Sequence, residues 1–227
     1  MRGRGASLPL ALVLSTILGL VACGREDPPP APQQAAINEG TIVAVGDSLT
    51  AGLGVAEELA YPAQLERRLA AAGLPYRVIN AGVSGETSSG ALSRVHWILR
   101  LKPDIVILET GANDGLRGID PNLTRKNIEE ILRTLQEAHV SVVVAGMQMV
   151  ANLGPEYTEA FRRIYPEAAK AFRVPLIPFF LAGVAGQSAL NQSDGIHPTA
   201  EGYRIVAETV YPYVVQAIRE REKSRGR

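Results

Sequence analysis

Short apolar runs alternate along the chain with longer amphipathic segments. Five runs have the length and β-branched content of strands, and the segments between them repeat apolar residues at helical spacing. The run 104–110 is continuously apolar, as is typical of a parallel strand covered on both faces. The pattern therefore predicts an α/β fold, a three-layer α/β/α sandwich around a five-stranded parallel sheet.

The predicted elements follow one another in regular order. The strands are expected at about 42–46, 76–80, 104–110, 141–147 and 174–180. The helices are expected at 61–72, 87–101, from a cap at Asn122 or Thr124 to about 138, at 155–172 and at about 199–219. In such sheets ligands bind outside the carboxyl ends of the strands. Ser48, Gly82, Asn113 and the segment 147–152 follow the first four strands, so we expect them to share one rim.

The N-terminus has the pattern of an export signal. Arg2 and Arg4 precede an almost uninterrupted apolar run, 8–21, which is typical of a secretory signal peptide and short for a membrane span. The end of this run, LVAC, resembles a bacterial lipobox, in which the cysteine is lipidated and becomes the new N-terminus. Cys23 is the only cysteine of the chain. An ordinary cleaved signal followed by an incidental cysteine is the alternative.

These features predict four segments. They are a lipoprotein signal peptide at 1–22, a lipidated Cys23 with a Pro- and Gln-rich linker to residue 39, a folded domain at 40–220 and a charged tail at 221–227. Several acyl chains would anchor the domain firmly to a membrane. The expected location is the bacterial cell envelope, on the periplasmic side of a membrane and more specifically the outer membrane.

The composition argues against several classes of function. The chain has 23 basic and 23 acidic residues, so no net charge favours a nucleic-acid partner. Its three histidines and one cysteine share no metal-ligand spacing, and one cysteine cannot form a disulfide within the chain. We therefore expect neither a metal nor another cofactor. The sequence leaves the oligomeric state open.

Ser48, His197 and Asp194 are candidates for nucleophilic catalysis. A serine hydroxyl needs a base to take its proton, and imidazole is the usual base near neutral pH. Asp194 lies three residues before His197 in DGIHP, so both side chains can project from one loop turn and the carboxylate can orient the imidazole. Taken alone, Asp-Gly is equally well explained as a turn and His197 as a loop residue.

An acyl-transfer enzyme also needs donors for an oxyanion. The candidates are the Ser48 N–H, the Gly82 N–H in NAGVSGET and the Asn113 side-chain amide in GANDGLRG. Glycine and asparagine are also common turn residues, and Ser48 could act only as a helix cap. Thr50 stands where the GxSxG nucleophile elbow of α/β-hydrolases requires glycine, and residues 46–54 lack the Gly-Lys-Ser/Thr ending of a phosphate-binding P-loop. The sequence therefore argues against both motifs.

The segments VGDSLTAG, NAGVSGET, GANDGLRG and DGIHP occur in this order at predicted strand ends. Together they resemble the four blocks of the SGNH, or GDSL, hydrolase superfamily, from Thr41 to about Gln216. The resemblance implies a flavodoxin-like sandwich with Ser48 as nucleophile. It implies Ser48, Gly82 and Asn113 as oxyanion donors, and Asp194 with His197 as the acid and base.

Two further stretches, GLRG at 115–118 and NLGPEYTEAFRRIYP from Asn152, resemble the branch of bacterial thioesterases, lysophospholipases and arylesterases. The resemblance implies a serine ester hydrolase for short-to-medium acyl esters or thioesters. Apolar residues after the third and fourth predicted strands, among them Leu116, Met149 and Leu153, favour an acyl groove over a sugar site. A carbohydrate O-deacetylase on the same fold is one alternative. A surface lipoprotein that binds lipid or glycan without turnover is the other.

Overall fold

The computed structural model describes residues 39–149 and 153–225. The predicted signal peptide, Cys23 and nearly all of the predicted linker lie outside the described residues, as does 150–152 of the segment expected at the rim. Among the described residues, no helix has the length and apolar character needed to cross a bilayer.

Five parallel strands form one sheet in the order β2-β1-β3-β4-β5, which confirms the predicted fold class. The strands are β1 Gly40–Gly46, β2 Tyr76–Gly82, β3 Ile105–Glu109, β4 Ser141–Ala145 and β5 Leu176–Ile177. Each parallel neighbour requires a crossover, and the intervening segments are long enough to supply helices for it. The chain adds β2 on one side of β1 and β3, β4 and β5 on the other, so the strand order switches between β1 and β3, the position where such sheets bind ligands.

Eight helices accompany the strands within the described residues. They are α1 Ser48–Ala51, α2 Tyr61–Ala71, α3 Ser88–Ser93, α4 Val95–Arg100, α5 Ala112–Leu116, α6 Pro121–Glu137, α7 Pro155–Phe172 and α8 Ala200–Arg225, with a 3₁₀ turn at Glu57–Leu59. Helix α2 packs on α8, and α6 packs on both α3 and α7. The apolar side chains of the central strands β1 and β3 are buried between these layers.

The region predicted as one helix at 87–101 is two helices joined at Arg94. The Arg94 guanidinium donates to both carboxylate oxygens of Glu86 at 2.6 Å, and the backbone there is non-helical, with φ −110° and ψ 9°. This contact links residues on either side of α3. The spacing of the apolar residues did not reveal the break, because the buried residues of the two short helices, from Ala91 to Val95 and Ile98, continue one helical repeat.

The long helix α6 begins earlier than predicted. Asp120, rather than Asn122 or Thr124, is its N-cap, and its carboxylate accepts the Asn122 N–H at 2.9 Å. Pro121 follows at the first helical position, where its missing N–H is of no consequence. Thr124 instead is buried and donates its hydroxyl to Asp114 at 3.0 Å.

The last two elements also differ from the prediction. Strand β5 has only two residues, because Pro175 and Pro178 flank it and cannot donate to a neighbouring strand. Helix α8 continues to Arg225, so the boundary expected at 220 falls inside a helix. Arg221, assigned to a charged tail, forms an ion pair with Asp104 beside β3 and is mostly buried there.

Candidate active site

Ser48 is the first residue of helix α1 and follows β1 by a single residue. Asp47 is the N-cap, and its Oδ1 accepts the Leu49 N–H at 2.9 Å. Gly52 ends the helix in the left-handed conformation, with φ 81°, which is favourable for glycine. The short helix therefore holds Ser48 at the carboxyl end of the sheet, where 9% of its surface is exposed.

Helix α1 lies unusually close to the sheet because Gly46 has no side chain. A β-carbon at Gly46 would lie 2.1 Å from the Thr50 hydroxyl and 2.3 Å from Glu109 Oε2. Any other residue would push α1 away from the ends of β1 and β3. The strand-to-helix turn that positions Ser48 thus depends on glycine at this point.

His197 and Asp194 lie beside Ser48 although 149 positions separate the serine from the histidine. His197 Nε2 is 2.8 Å from Ser48 Oγ, and His197 Nδ1 is 2.7 Å from Asp194 Oδ2. The carboxylate can thus accept a hydrogen bond from Nδ1–H, which leaves Nε2 free to accept a hydrogen bond from the serine hydroxyl. This is the arrangement predicted from the DGIHP spacing.

Asp194 is held in its ionised form. Hydrogen bonds from the His197 side chain and from the backbone N–H groups of His197 and Ile196 lower the pKa of its carboxyl to about 2. The ionised form is therefore favoured by the folded state: any stability from these bonds is complete above the unfolded pKa near 4 and is lost as the pH falls toward 2. Asp194 remains a hydrogen-bond acceptor throughout the neutral range.

The loop that carries Asp194 and His197 is fastened to the loop after α1. Asn191 and Pro198 form an antiparallel bridge, and the Gln192 N–H donates to the His197 carbonyl at 2.7 Å. The Gln192 side chain donates to the Leu53 carbonyl at 2.7 Å and to the Pro198 carbonyl at 3.0 Å. Gln192 thereby ties the histidine loop to the serine loop.

A cavity of about 260 Å³ opens directly over Ser48 and His197. Its wall combines polar groups and apolar side chains from the segments after β1, β2 and β3 and from the loop of His197. The lining residues are Asp47, Ser48, Leu49, Leu53, Ser84, Gly85, Ala112, Asn113, Leu116, Ile196 and His197. Ser48 and Asn113, two of the residues expected at the shared rim, therefore meet at this cavity.

A second, more apolar cavity of about 280 Å³ continues from the first. The two share Leu49, Ala112, Leu116 and Ile196, and the second extends between the segments after β4 and β5. Leu116 and Met149, both predicted to contact substrate, line it. Leu153 is 41% exposed and is not among the described residues that line either cavity, so the structure does not support its predicted place in the groove.

The family of the chain follows from sequence comparison. Residues 44–205 match the model of the GDSL-like Lipase/Acylhydrolase family. The chain belongs to this family. The matched range runs from β1 through Ser48, Asn113 and His197 into α8, and it confirms the resemblance seen in the four sequence blocks.

Individual members of the family are similar over most of the chain. Esterase TesA of Pseudomonas aeruginosa is 40% identical over 89% of this chain and 96% of its own length. Thioesterase 1/protease 1/lysophospholipase L1 of Escherichia coli is 37% identical over 74% of this chain and 80% of its own. The predicted class, a serine ester hydrolase, is thus confirmed at the level of the family.

Solved structures agree with the fold. The psychrotrophic esterase EstA from Pseudoalteromonas sp., in a structure inhibited by monoethylphosphonate, matches with a TM-score of 0.76 and 30% identity. The match covers 80% of this chain and all of that one. The two chains therefore share the sheet and its flanking helices.

The structure corrects the prediction for Gly82. Its N–H donates to the Asn80 side chain at 3.0 Å, and it is not among the described residues that line the cavity over Ser48. A β-carbon at Gly82 would lie 2.2 Å from the Ala51 nitrogen. Gly82 therefore allows β2 to approach helix α1, in the same way that Gly46 does for β1.

Gly85, three residues further along the same segment, is the glycine that lines the cavity beside Ser48 and Asn113. Its φ is 80°, so the turn that brings its backbone to the cavity favours glycine. The Arg117 side chain donates to the Gly85 carbonyl at 2.9 Å and holds this turn against the end of α5. Sequence reasoning missed Gly85, because NAGVSGET contains two glycines and spacing alone did not distinguish them.

A buried network fixes α5 to the start of α3. Asp114 Oδ2 accepts the Ser88 N–H at 2.8 Å, and Oδ1 accepts the hydroxyls of Ser88 and Thr124 at 2.5 and 3.0 Å. Asn127 then donates to Ser88 at 2.9 Å. The neighbour of Asp114, Asn113, is therefore attached to a rigid element that also supports the Gly85 turn.

No group of three or more metal-ligating side chains that could hold a metal ion occurs within 39–149 and 153–225.

We expect G82A to destabilise the fold by about 1–3 kcal/mol, because the new β-carbon would collide with the backbone of helix α1. The matched control is S93A, because Ser93 is exposed on helix α3 and its hydroxyl bonds the Gly90 carbonyl within the same helix. This helical substitution should be neutral or favourable by up to about 1 kcal/mol. Urea unfolding followed by circular dichroism measures both. Unchanged stability of G82A with a fall in kcat of about 100-fold would restore Gly82 as an oxyanion donor.

Proposed function

We propose that this carboxylic ester hydrolase works by acyl transfer through a covalent intermediate on Ser48. The observation that carries the proposal is the continuous hydrogen-bonded chain from Ser48 Oγ to His197 Nε2 and from His197 Nδ1 to Asp194. This chain lies in a cavity beside an apolar extension. It meets the geometric requirement for a serine nucleophile with a base and an orienting acid.

The reaction proceeds in two halves. Ser48 Oγ attacks the carbonyl carbon of the ester while its proton passes to His197 Nε2, and His197 then protonates the leaving oxygen or sulfur atom as its bond to the carbonyl carbon breaks. Water enters, gives a proton to His197 and attacks the acyl-serine. The acid leaves and Ser48 regains its proton. Asp194, ionised through the neutral range, stabilises the imidazolium form of His197 in both halves.

The negative charge on the carbonyl oxygen is stabilised by donors at the same rim. The Ser48 N–H and the Asn113 amide keep their predicted roles in this proposal, and the Gly85 N–H replaces that of Gly82. Removing one such donor typically costs on the order of 3 kcal/mol of transition-state stabilisation. Gly85 and Asn113 line the cavity from two loops that Asp114 and Arg117 hold together.

The proposed substrates are short-to-medium acyl esters and thioesters. The apolar cavity, lined by side chains such as Met147, Met149, Phe179 and Leu181, fits the acyl chain, whereas the more polar cavity over Ser48 fits the reacting group. The names of the relatives include esterase, thioesterase and lysophospholipase activities, which agree with this division.

The proposed location is the periplasmic side of a bacterial membrane, specifically the outer membrane, with lipidated Cys23 as the anchor. The support is the LVAC sequence at the end of the predicted signal peptide and the position of Cys23 as the only thiol. Several acyl chains attached at Cys23 would anchor the protein stably, because each buried methylene contributes about 0.8 kcal/mol to the free energy of membrane binding.

S48A should lower kcat/KM for nitrophenyl butyrate by at least about 10³-fold while leaving the fold intact. S93A, an exposed serine on α3, is the matched control and should behave as the wild type. A phosphonate ester with a good leaving group should add one phosphonyl group to the peptide that contains Ser48, as measured by mass spectrometry. Hydrolysis that survives in S48A would remove Ser48 from the mechanism, and activity confined to acetylated glycans in a substrate panel would contradict the acyl-groove assignment.

A185W should shorten the preferred acyl chain. Ala185 lines the apolar cavity away from Ser48, so a large ring there should displace about two methylenes of an octanoyl chain and lower its kcat/KM about 10-fold. Acetyl and butyryl esters should be unaffected. A182W is the control, because Ala182 is exposed on the same turn but is not among the described lining residues. Equal losses for all chain lengths would exclude this cavity as the acyl site.

Palmitate labelling of the full chain expressed in a bacterium should occur in the wild type and disappear in C23A, because the cysteine sulfur is the predicted attachment point. Fractionation should place the wild type with membranes and the C23A chain in the periplasm. An unlabelled wild type would instead establish an ordinary cleaved signal peptide.

A further inference from the structure

A buried carboxylic acid that the proposed mechanism does not use lies directly beneath the site. Glu109 is the last residue of β3 and is completely buried. Its Oε2 accepts the Thr50 hydroxyl at 2.9 Å and the Asp47 N–H at 3.2 Å, whereas Oε1 has no hydrogen-bond partner among the described residues. Within those residues, no lysine or arginine pairs with Glu109.

Asp47 is a second buried carboxyl group next to Glu109. It is 1% exposed, and its two oxygens accept the Leu49 N–H and the Asn113 side-chain N–H, each at 2.9 Å. Asp47 therefore connects three parts of the site: the helix that starts with Ser48, the Asn113 amide and the buried acid Glu109.

The two acids cannot both be charged without a large penalty, because they are close together in a medium of low dielectric. Burial, followed by the negative charge of Asp47, raises the pKa of Glu109 well above its usual range. Burial also raises the pKa of Asp47, but bonds from Leu49, Asn113 and Glu109 and the nearby His197 oppose that effect. The proton is thus better placed on Glu109 and the charge on Asp47.

The other titratable groups that face Glu109 do not change this assignment. Tyr61 on α2, Tyr165 on α7 and Tyr203 on α8 all pack toward it, and burial is the main reason that their pKa values are raised. They therefore stay neutral over the working range of an esterase. His197 interacts electrostatically with Asp47, and a positive charge on its ring favours ionised Asp47.

We propose that Asp47 and Glu109 form a positioning pair, in which protonated Glu109 supports ionised Asp47 and ionised Asp47 fixes the orientation of the Asn113 amide. This inference rests on the proposed function, since it concerns how the amide of Asn113, the proposed oxyanion donor, is oriented. It adds no step to the reaction, because both acids keep their protonation states throughout.

The two ends of a carboxamide are chemically different. An amide group offers two N–H donors on one side and an oxygen acceptor on the other, and a half-turn about its bond exchanges them. An ionised carboxylate accepts only, so Asp47 binds the nitrogen end of Asn113. One N–H is thus bound, and the same nitrogen carries a second N–H in a residue that lines the cavity with Ser48. A neutral side chain at position 47 that carries its own donor could instead donate to the oxygen of a flipped Asn113 amide.

D47N tests the pair directly. Asparagine is a good N-cap, so helix α1 should be preserved, but its amide can donate to the flipped Asn113. We expect kcat for nitrophenyl butyrate to fall about 10- to 100-fold with little change in KM, less than or equal to the loss in N113A. D120N is the matched control, because Asp120 caps α6 in the same way but is exposed and is not among the described residues that line either cavity. It should stay within about twofold of the wild type.

The double variant D47N/N113A separates positioning from a general structural role. If Asp47 acts through Asn113, the double variant should be within about 3-fold of N113A alone. Independent losses that multiply would show that Asp47 acts elsewhere. Thermal unfolding of every variant shows whether lost activity is lost folding.

E109Q tests the protonation state of the lower acid. Glutamine copies protonated glutamic acid, because its oxygen can accept from Thr50 and from the Asp47 N–H and its neutral NH₂ keeps an N–H donor beside ionised Asp47. We expect kcat within about 3-fold of the wild type from pH 6 to 9. The ratio of the unfolding constants of wild type and E109Q should rise with pH, by up to about tenfold per unit, because only the wild type must keep a buried acid protonated.

Three results would overturn the proposal: a wild-type kcat in D47N, multiplied losses in D47N/N113A, or a loss above about 10-fold in well-folded E109Q, which would show that Glu109 acts as an anion. The same assays include S48A. If S48A is inactive and any of these results is obtained, the serine mechanism stands and only the positioning pair fails. If S48A retains activity, the proposed function itself fails.

Discussion

Helix α1 lies against the ends of β1 and β2 more closely than any side chain would allow. Gly46 and Gly82 allow this approach because they have no β-carbon. A β-carbon at either position would lie within about 2.2 Å of an atom of Thr50 or Ala51. The approach places Ser48 over the sheet instead of beyond it. It also brings the Thr50 hydroxyl and the Asp47 N–H down onto Glu109, so the buried acid is part of the same contact.

The order of the strands decides which loops meet at this point. Because β1 lies between β2 and β3, the segments after these three strands converge, and they carry Ser48, Gly85 and Asn113. The remaining part of the site arrives from the other end of the chain. Gln192 attaches the loop of His197 to the serine loop by bonding the Leu53 carbonyl, which holds the base at 2.8 Å from the serine. Both kinds of contact are long-range, so the site forms only with the complete sheet.

Prediction from sequence succeeded where structure depends on local periodicity. The five strands, the parallel sheet and helix α7 at Pro155–Phe172 follow from apolar runs and helical spacing. Prediction was weaker where one contact decides an end or a break. The ion pair of Arg94 with Glu86 divides a helix, and the burial of Arg221 against Asp104 extends the last helix beyond its predicted end. Such contacts join residues whose proximity a local pattern does not contain.

For the site, the sequence by itself determined the residue types, their order and the family, because four blocks at strand ends restrict the chemistry strongly. It also placed Asp194 and His197 on one turn, since three residues of separation is a local property. Only the tertiary structure distinguished Gly85, which lines the cavity, from Gly82, which packs under α1. The physical reason is that a glycine's role depends on what surrounds its α-carbon, and those neighbours come from other strands and helices. The pairing of the acids beneath Ser48 was hidden for the same reason.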